Sequence, residues 1–250
     1  MYYNRHMQYG QFAFVYDALM RDVDYNGWAD YAAGFIPAGA SVLECACGTG
    51  EMSLRLARKR YSVSACDISD DMLAVAAEKQ REQGMFKADL RFFRADMRSL
   101  PAGKKYGCVL ALCDGVNYLT SREDVKKFFS SAHSVLRDGG VLIFDISSRY
   151  KLEHVLGNNT FADDGEDLAY IWQNAYDPES KLVEMKLSFF VNRNGLYERF
   201  GETHIQRAHS VKEIMSWLRE TGFEPEAYGF MTLEAPKETD ERIQFAARKI

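Results

Sequence analysis

The chain has 250 residues, 47% of them apolar, and carries 31 basic against 36 acidic side chains for a net charge of −5. That is enough apolar chain for a full core, yet no apolar run approaches the ~20 residues that span a bilayer. The acidic balance, without a long basic run, argues against a protein that works by neutralising nucleic-acid phosphates.

Residues 1–37 come first and are dense in aromatics. The opening "MYYNRHMQYG" has no apolar signal core, so the cytoplasm is the expected compartment. Phe12, Tyr16 and Leu19 then fall at helical spacing, and Tyr25, Trp28, Tyr31 and Phe35 follow in a second helix-like piece. This segment is expected to form a helical lid over the working edge of a sheet.

Strand-like and helix-like segments alternate through residues 38–150, the pattern of a parallel sheet covered on both faces. The strands read as 41–46, 61–67, 90–96, 106–114 and 139–146. Between them lie "EMSLRLARK", a helix capped by Ser69 and stopped by Gly84, and a helix capped by Ser121 and stopped by Gly139. Over 151–209 the period changes to two: "LAYIWQNAY", a turn at "DPES", "KLVEMKLSFFVN", an Asn194-Gly195 turn, and "LYERFGETHIQRAHS". That is an antiparallel β insertion after the fifth strand. Residues 210–250 supply a helix to 221, a stop at Gly222 and two last strands, "EPEAYGF" and "RIQFAARKI". No linker or repeat divides the chain, so one domain is expected, of α/β class and doubly wound. The five cysteines show no CxxC spacing of a zinc site or disulfide framework and read as reduced core residues, with no metal expected.

The first β-α turn, "SVLECACGTGEMSLRLARK" (41–59), carries the chemistry. A dinucleotide fingerprint needs G-x-G-x-x-G, and here Ser53 stands where the third glycine belongs. A pyrophosphate at this helix N-terminus would also face Glu51, with Glu44 just below, and like charges in a partly desolvated crevice repel. A ligand carrying positive charge fits better.

"LECACGTGE" resembles motif I of the Rossmann-like, class I S-adenosylmethionine-dependent methyltransferases, E/D-x-G-x-G-x-G, with Ala46 in place of the first glycine. The later motifs follow in order: "ACDISDDML", "FRADMRSL", "LALCDGVNYL" and "LRDGGVLIFDI". "QFAFVYDALM" and "DGVNYL" are similar to a bacterial subgroup of small methyltransferases and to sugar N-methyltransferases. The resemblance covers almost the whole chain. It implies a mostly parallel, seven-stranded Rossmann-like sheet, S-adenosylmethionine as cofactor and a methyltransferase activity. Position by position, it gives Glu44 the ammonium of the methionine moiety, and Gly48 and Gly50 a close backbone approach. Asp67 takes the ribose hydroxyls, Ile68 an adenine face, Asp96 and Met97 the adenine amino group and ring, and Leu112 and Asn117 the methionine side. Each has a duller reading: Asp67 as a helix cap, Asp96 as the close of a turn.

Methyl transfer asks mainly for alignment, and for a base only when the attacking atom is protonated. The candidates are Tyr16, Asp114, Tyr118, His133, His154, His204 and His209. His133 and His154 are set aside as filling and connector. Strand alternation puts Glu202, His204 and Gln206 on one face and Thr203, Ile205, Arg207 and His209 on the other. A polar row on such a strand is more often a solvated face. In related small-molecule methyltransferases the insertion walls the acceptor site, which makes His204 the first choice for base or anchor and Arg207 the choice for an acidic group. By the same resemblance Tyr16 and Tyr118 stand near the methyl group. The Asn/Asp-Pro-Pro-Tyr/Phe motif of base methylation is replaced by Cys113-Asp114-Gly115-Val116, and no Pro-Cys nucleophile occurs. A small-molecule acceptor attacked through N or O leads. The alternatives are an RNA or protein methyltransferase, marked by a basic stripe on 150–210, and a non-catalytic S-adenosylmethionine-binding protein.

Overall fold

The structure is a computed structural model that describes residues 11–250. The first ten residues of the aromatic segment, and the reading of a leaderless N-terminus, lie outside the described residues. Five parallel strands, β1 (Ser41–Cys45), β2 (Ser62–Asp67), β3 (Leu90–Arg94), β4 (Tyr106–Ala111) and β5 (Leu136–Ser147), form the centre of a seven-stranded sheet. The last two strands complete it in the order β10-β11-β5-β4-β1-β2-β3, where β10 is Phe223–Gly229 and β11 is Arg242–Lys249. β11 runs antiparallel to both its neighbours. Strands β1, β4 and β5 are buried on both sides, which is why they read as continuous apolar runs and not as alternation.

Helices α2 (Tyr25–Ala33), α3 (Glu51–Arg58) and α4 (Asp70–Glu82) pack on one face around Trp28, Leu54, Leu56 and Val63. Helices α5 (Arg122–Val135) and α6 (Val211–Glu220) pack on the other around Phe128, Phe129, Phe144 and Leu218. The expected caps hold. Ser69 accepts from the Met72 amide, Ser121 from the Asp124 amide, and Ser210 with Glu213 closes a full capping box. One stop does not: α5 ends at Val135 and β5 begins at Leu136, so Gly139, at φ +70°, lies inside the strand. The β4–β5 register shifts between Tyr106 and Cys108, the mark of a bulge.

The insertion is a four-stranded antiparallel meander, β6 (Thr160–Asp164), β7 (Leu168–Asp177), β8 (Leu182–Arg193) and β9 (Leu196–Arg207). Its first strand was not expected from the sequence. Asn194 and Gly195 both have positive φ, as a two-residue hairpin turn of matching twist requires. Helix α1 (Gln11–Leu19) lies on the inner face of this sheet, with Val15, Phe189 and Val191 buried between them. Helix and insertion together therefore form the roof over the carboxyl ends of β1, β2 and β4, the place where open α/β sheets bind ligands. Among the described residues no helix is long and apolar enough to cross a membrane.

Candidate active site

A cavity of about 480 Å³ opens under that roof. Its floor is the β1–α3 turn, where Ala46, Gly48 and Gly50 all adopt left-handed backbone at φ +51°, +53° and +78°. The three are not equivalent. A Cβ built on Gly48 meets only a Tyr16 ring carbon, at 3.9 Å, so the bare backbone faces the cavity and a ligand can approach it. A Cβ on Gly50 would stand 2.9 Å from the Phe92 ring and 3.0 Å from the Ala76 methyl. Gly50 does not line the cavity; its expected close approach is to the packing of α4 and β3, not to a ligand. Ala46, where the motif expects a glycine, keeps its left-handed conformation at about 1 kcal/mol of strain. Its methyl fits because position 115 is glycine, whose built Cβ would stand 3.1 Å away.

Glu44, next to last in β1, has only 3% of its surface exposed and lines the cavity. It accepts a hydrogen bond from the Ser53 hydroxyl, and no salt bridge reaches it among the described residues. Burial pushes its carboxyl up to about 8, although Ser53 pulls the other way. A buried carboxyl without a cation suits a cationic ligand group. Glu51 behaves differently: burial opposes its charge, but Lys79 and Arg55 bond to it and hold its carboxyl below the usual range. Its charge is already compensated, and Glu44 holds its proton at neutral pH, so neither acid supplies the like-charge repulsion of a pyrophosphate that the sequence suggested.

Asp67 ends β2 and its two oxygens accept from the Gly48 amide at 2.8 Å and the Ser69 amide at 2.9 Å. The carboxylate thus braces the glycine turn and leads into the α4 cap, while remaining in the cavity wall with acceptor capacity to spare. Ile68, 59% exposed, presents an apolar face beside it. Asp96 caps a short 3₁₀ turn by accepting from the Arg98 amide, and the Arg98 guanidinium grips both of its oxygens. That grip, ahead of the burial opposing it, holds the Asp96 carboxyl low. Arg98 was missed in the sequence. Met97 and Leu112 line the cavity as expected. Asn117 does not: fully buried, it donates to the carbonyls of Ser147 and Arg207 and accepts from the Ser147 amide. It pins the end of β5 to the end of β9.

The far wall brings together Phe12, Tyr16, Tyr118, Leu119 and His204. The His204 ring lies 4.9 Å from that of Phe12, and its Nδ1 stands 3.3 Å from the Tyr118 hydroxyl. Its Nε2 is buried without a partner, and burial keeps the imidazole neutral. Burial also raises the Tyr16 phenol well above its usual range, and desolvation raises that of Tyr118 although 47% of the residue is exposed, so both keep their protons at neutral pH and act through ring and hydroxyl, not as bases.

The remaining candidates lie elsewhere. His209 is a buried histidine whose Nε2 stands 2.9 Å from the Leu119 carbonyl, with burial taking it down to about 4. His133 packs edge-on against Phe223 and His154 against Tyr150. Arg207 points away from the cavity, donating to the Thr120 carbonyl beside Glu213, because alternation puts it on the face opposite His204. Asp114 does not line the cavity either. It accepts from Gln206 and Arg242, both at 2.8 Å, while its amide donates to Asp145. Burial opposes its charge, but Arg242 more than offsets this and holds the carboxyl low. The chain Arg242–Asp114–Gln206 ties β11 to the loop after β4 and to β9, two residues from His204.

A doubly wound sheet with a glycine turn, a strand-end acid and a roofed cavity defines a nucleoside-cofactor domain. Residues 42–140 match the family profile of a methyltransferase domain. The methyltransferase-family protein YqeM of Bacillus subtilis (strain 168) is 36% identical over 245 residues, covering 97% of this chain and 98% of its own. A solved S-adenosylmethionine-dependent methyltransferase from Clostridium acetobutylicum superposes with a TM-score of 0.86 at 34% identity, over 95% of this chain and 97% of its own. A dTDP-3-amino-3,4,6-trideoxy-alpha-D-glucopyranose N,N-dimethyltransferase of Streptomyces venezuelae is 28% identical over 137 residues, covering 52% of this chain and 55% of its own. The chain belongs to the Rossmann-like S-adenosylmethionine-dependent methyltransferase family.

Proposed function

We propose that this protein transfers the methyl group of S-adenosylmethionine to an N or O atom of a small-molecule acceptor. The observation that carries the reading is one cavity holding a buried acid that has Ser53 but no cation beside it, Glu44, on one side and the neutral His204 on the other. The cofactor supplies an electrophilic methyl group on a sulfonium. Glu44 receives the ammonium, the Gly48 backbone allows close approach, Asp67 takes the ribose hydroxyls, Ile68 packs on the adenine face, and the Met97 backbone N–H meets the adenine ring. Asp96 accepts from the adenine amino group, its carboxylate fixed by Arg98. Leu112 walls the methionine side. Tyr16 and Tyr118 present ring faces to positive charge near the methyl group, worth about 0.5–2 kcal/mol, and α1 with the insertion excludes water. His204 holds the acceptor or takes its proton.

The related amino-sugar dimethyltransferase supports a small acceptor, and so does a roof built from the chain's own segments. The outer face of the insertion carries Lys186, Arg199 and Arg207 among Ile171, Glu184 and Ile205, and the pairing of Lys186 with Glu184 and of Arg207 with Glu213 offsets two of the three basic groups, which favours a small acceptor over RNA. Incubating the protein with methyl-labelled cofactor and a metabolite extract tests the reading. Label is expected in a low-mass product. Label in RNA or protein alone would refute it.

Glu44 makes cofactor binding pH-dependent. Its folded pKa, about 8, is raised, so the apo protein binds this proton up to about pH 8 and gains stability from it that is lost as pH rises through that value. An ammonium favours the ionised form. Binding at pH 6–7 is therefore expected to release close to one proton, and affinity to rise with pH until about 8. Calorimetry in buffers of different ionisation enthalpy checks this, with proton uptake or no linkage as the contrary result.

A further inference from the structure

Among the described residues, the hydrogen bonds that tie α1 to the floor of the cavity converge on Asp17. On the same helix Val15 is buried against Phe189 and Val191 of the insertion, so the apolar seam of α1 belongs to the roof. The next two residues meet the sheet domain. Tyr16 stands over the glycine turn, where a Cβ built on Gly48 would lie 3.9 Å from its ring. Asp17 bonds to two separate elements: one oxygen accepts from the Thr49 hydroxyl at 2.5 Å, the other from the Lys79 ammonium on α4 at 2.8 Å. Thr49, between Gly48 and Gly50, lines the cavity and is 1% exposed. Lys79 also donates to Glu51, the first residue of α3, at 2.6 Å. A single roof side chain thus holds the turn, α4 and, through Lys79, the head of α3.

A ligand whose amino-acid end rests on the bare Gly48 backbone lies between that turn and Tyr16. Widening the gap means moving α1, and because α1 packs on the insertion the two can lift together without exposing their shared apolar seam. What breaks is the pair of bonds to Asp17. An exposed ion pair resists such a motion weakly. This contact is of another kind: the Lys79 side chain is 15% exposed and the Thr49 hydroxyl is buried, so parting leaves a buried donor without its charge-assisted bond until water arrives. The adenosine end has no such cover. It lies among Asp67, Ile68, Asp96 and Met97, none of them in the roof.

We propose that Asp17 is a positioning residue that latches α1 onto the glycine turn and sets how long the cofactor, and the S-adenosylhomocysteine left after transfer, stay bound. The inference rests on the methyltransferase reading of the cavity given above. With the bonds to Thr49 and Lys79 made, Tyr16 is kept over Gly48 and water is kept from the methyl group. With them broken, the roof lifts and product leaves for fresh cofactor, a conformational step of the kind that sets turnover in many enzymes. Asp17 itself is absent from the cavity lining, so it acts through Tyr16 and Thr49, which are part of it.

Surface plasmon resonance on the immobilised full chain tests this, with S-adenosylhomocysteine and methylthioadenosine as the two probes. The second has the adenosine end but not the amino-acid end. Asp17→Ala is expected to release S-adenosylhomocysteine at least tenfold faster than the wild type, with an association rate within about threefold. Its release of methylthioadenosine is expected to stay within about threefold of the wild-type rate, which a general loosening of the fold would not allow. Asp17→Asn, which still accepts from Thr49 but carries no charge for Lys79, is expected to fall between. Thr49→Val keeps the shape and removes the hydroxyl. It is expected to release S-adenosylhomocysteine at least threefold faster, and the double variant to release it no faster than Asp17→Ala alone, since the two substitutions break one contact. An unchanged release rate in Asp17→Ala, equal acceleration of both probes, or effects of the two substitutions that multiply, overturns the proposal. Should Asp17→Ala fail to fold, Asp17→Asn and Thr49→Val decide it by the same rates. A wild-type protein that takes up no S-adenosylhomocysteine refutes the cofactor reading itself, a result distinguishable from a latch that does not hold.

Discussion

Replacing Arg242 by methionine is expected to cost about 3–5 kcal/mol of stability at pH 8, because it leaves two buried carboxylates without their cation. Arg242 bonds to both Asp114 and Asp145, and its guanidinium lies 5.2 Å from the centre of the Trp28 ring. Asp145 has no exposed surface, and burial pushes its carboxyl up to about 6 even with Arg242 beside it. The sign of the pH effect follows. A raised carboxyl pKa gives stability that is present at low pH and lost as pH rises through the folded value. Without Arg242 that value rises further, so the variant's deficit should shrink on going from pH 8 to pH 5. Urea unfolding at the two pH values measures it. A variant as stable as the wild type at pH 8 would show that the cluster holds nothing together.

Gly50→Ala and Gly48→Ala are expected to fail in different ways. Both put a side chain in left-handed backbone, worth about 1–2 kcal/mol. At Gly50 the new methyl also collides with Phe92 and Ala76, bringing the loss of stability to about 2–4 kcal/mol. At Gly48 the methyl has room in the empty cavity but occupies space the ligand needs, so stability changes little beyond the strain and cofactor affinity falls at least tenfold. Thermal unfolding and cofactor titration of the two folded variants separate the roles. Equal behaviour in both assays would remove the distinction.

The central sheet was legible because its signals are local. Apolar runs ending in Glu44, Asp67 and Asp114, serine caps and the Asn194-Gly195 turn each act within a few residues. The floor of the cavity was legible for the same reason. Strand β6 was not, since "TFADD" is an exposed, acidic edge strand with no apolar alternation. The end of α5 was misplaced because Gly139 serves a bulged strand entry as readily as a helix stop. The roles of Asn117 and Gly50 were misread because a polar or bare position at a strand end suits a ligand and a packing contact equally, and only burial separates them. Arg242 carried no signal at all: its partner Asp114 lies 128 residues away. Arg98, by contrast, stands two residues after Asp96, and that spacing beside a turn-capping acid was a signal available in the sequence.

If the cavity takes S-adenosylmethionine through Asp67, isothermal calorimetry of S-adenosylmethionine, S-adenosylhomocysteine and NAD against the wild type and Asp67→Ala will show it. Micromolar binding of the first two is expected, about −7 to −8 kcal/mol, and none of NAD. The folded Asp67→Ala variant is expected to lose about 2–3 kcal/mol, as two charge-assisted hydrogen bonds disappear. Tight NAD binding, or an unchanged affinity for S-adenosylmethionine without the Asp67 carboxylate, would contradict it.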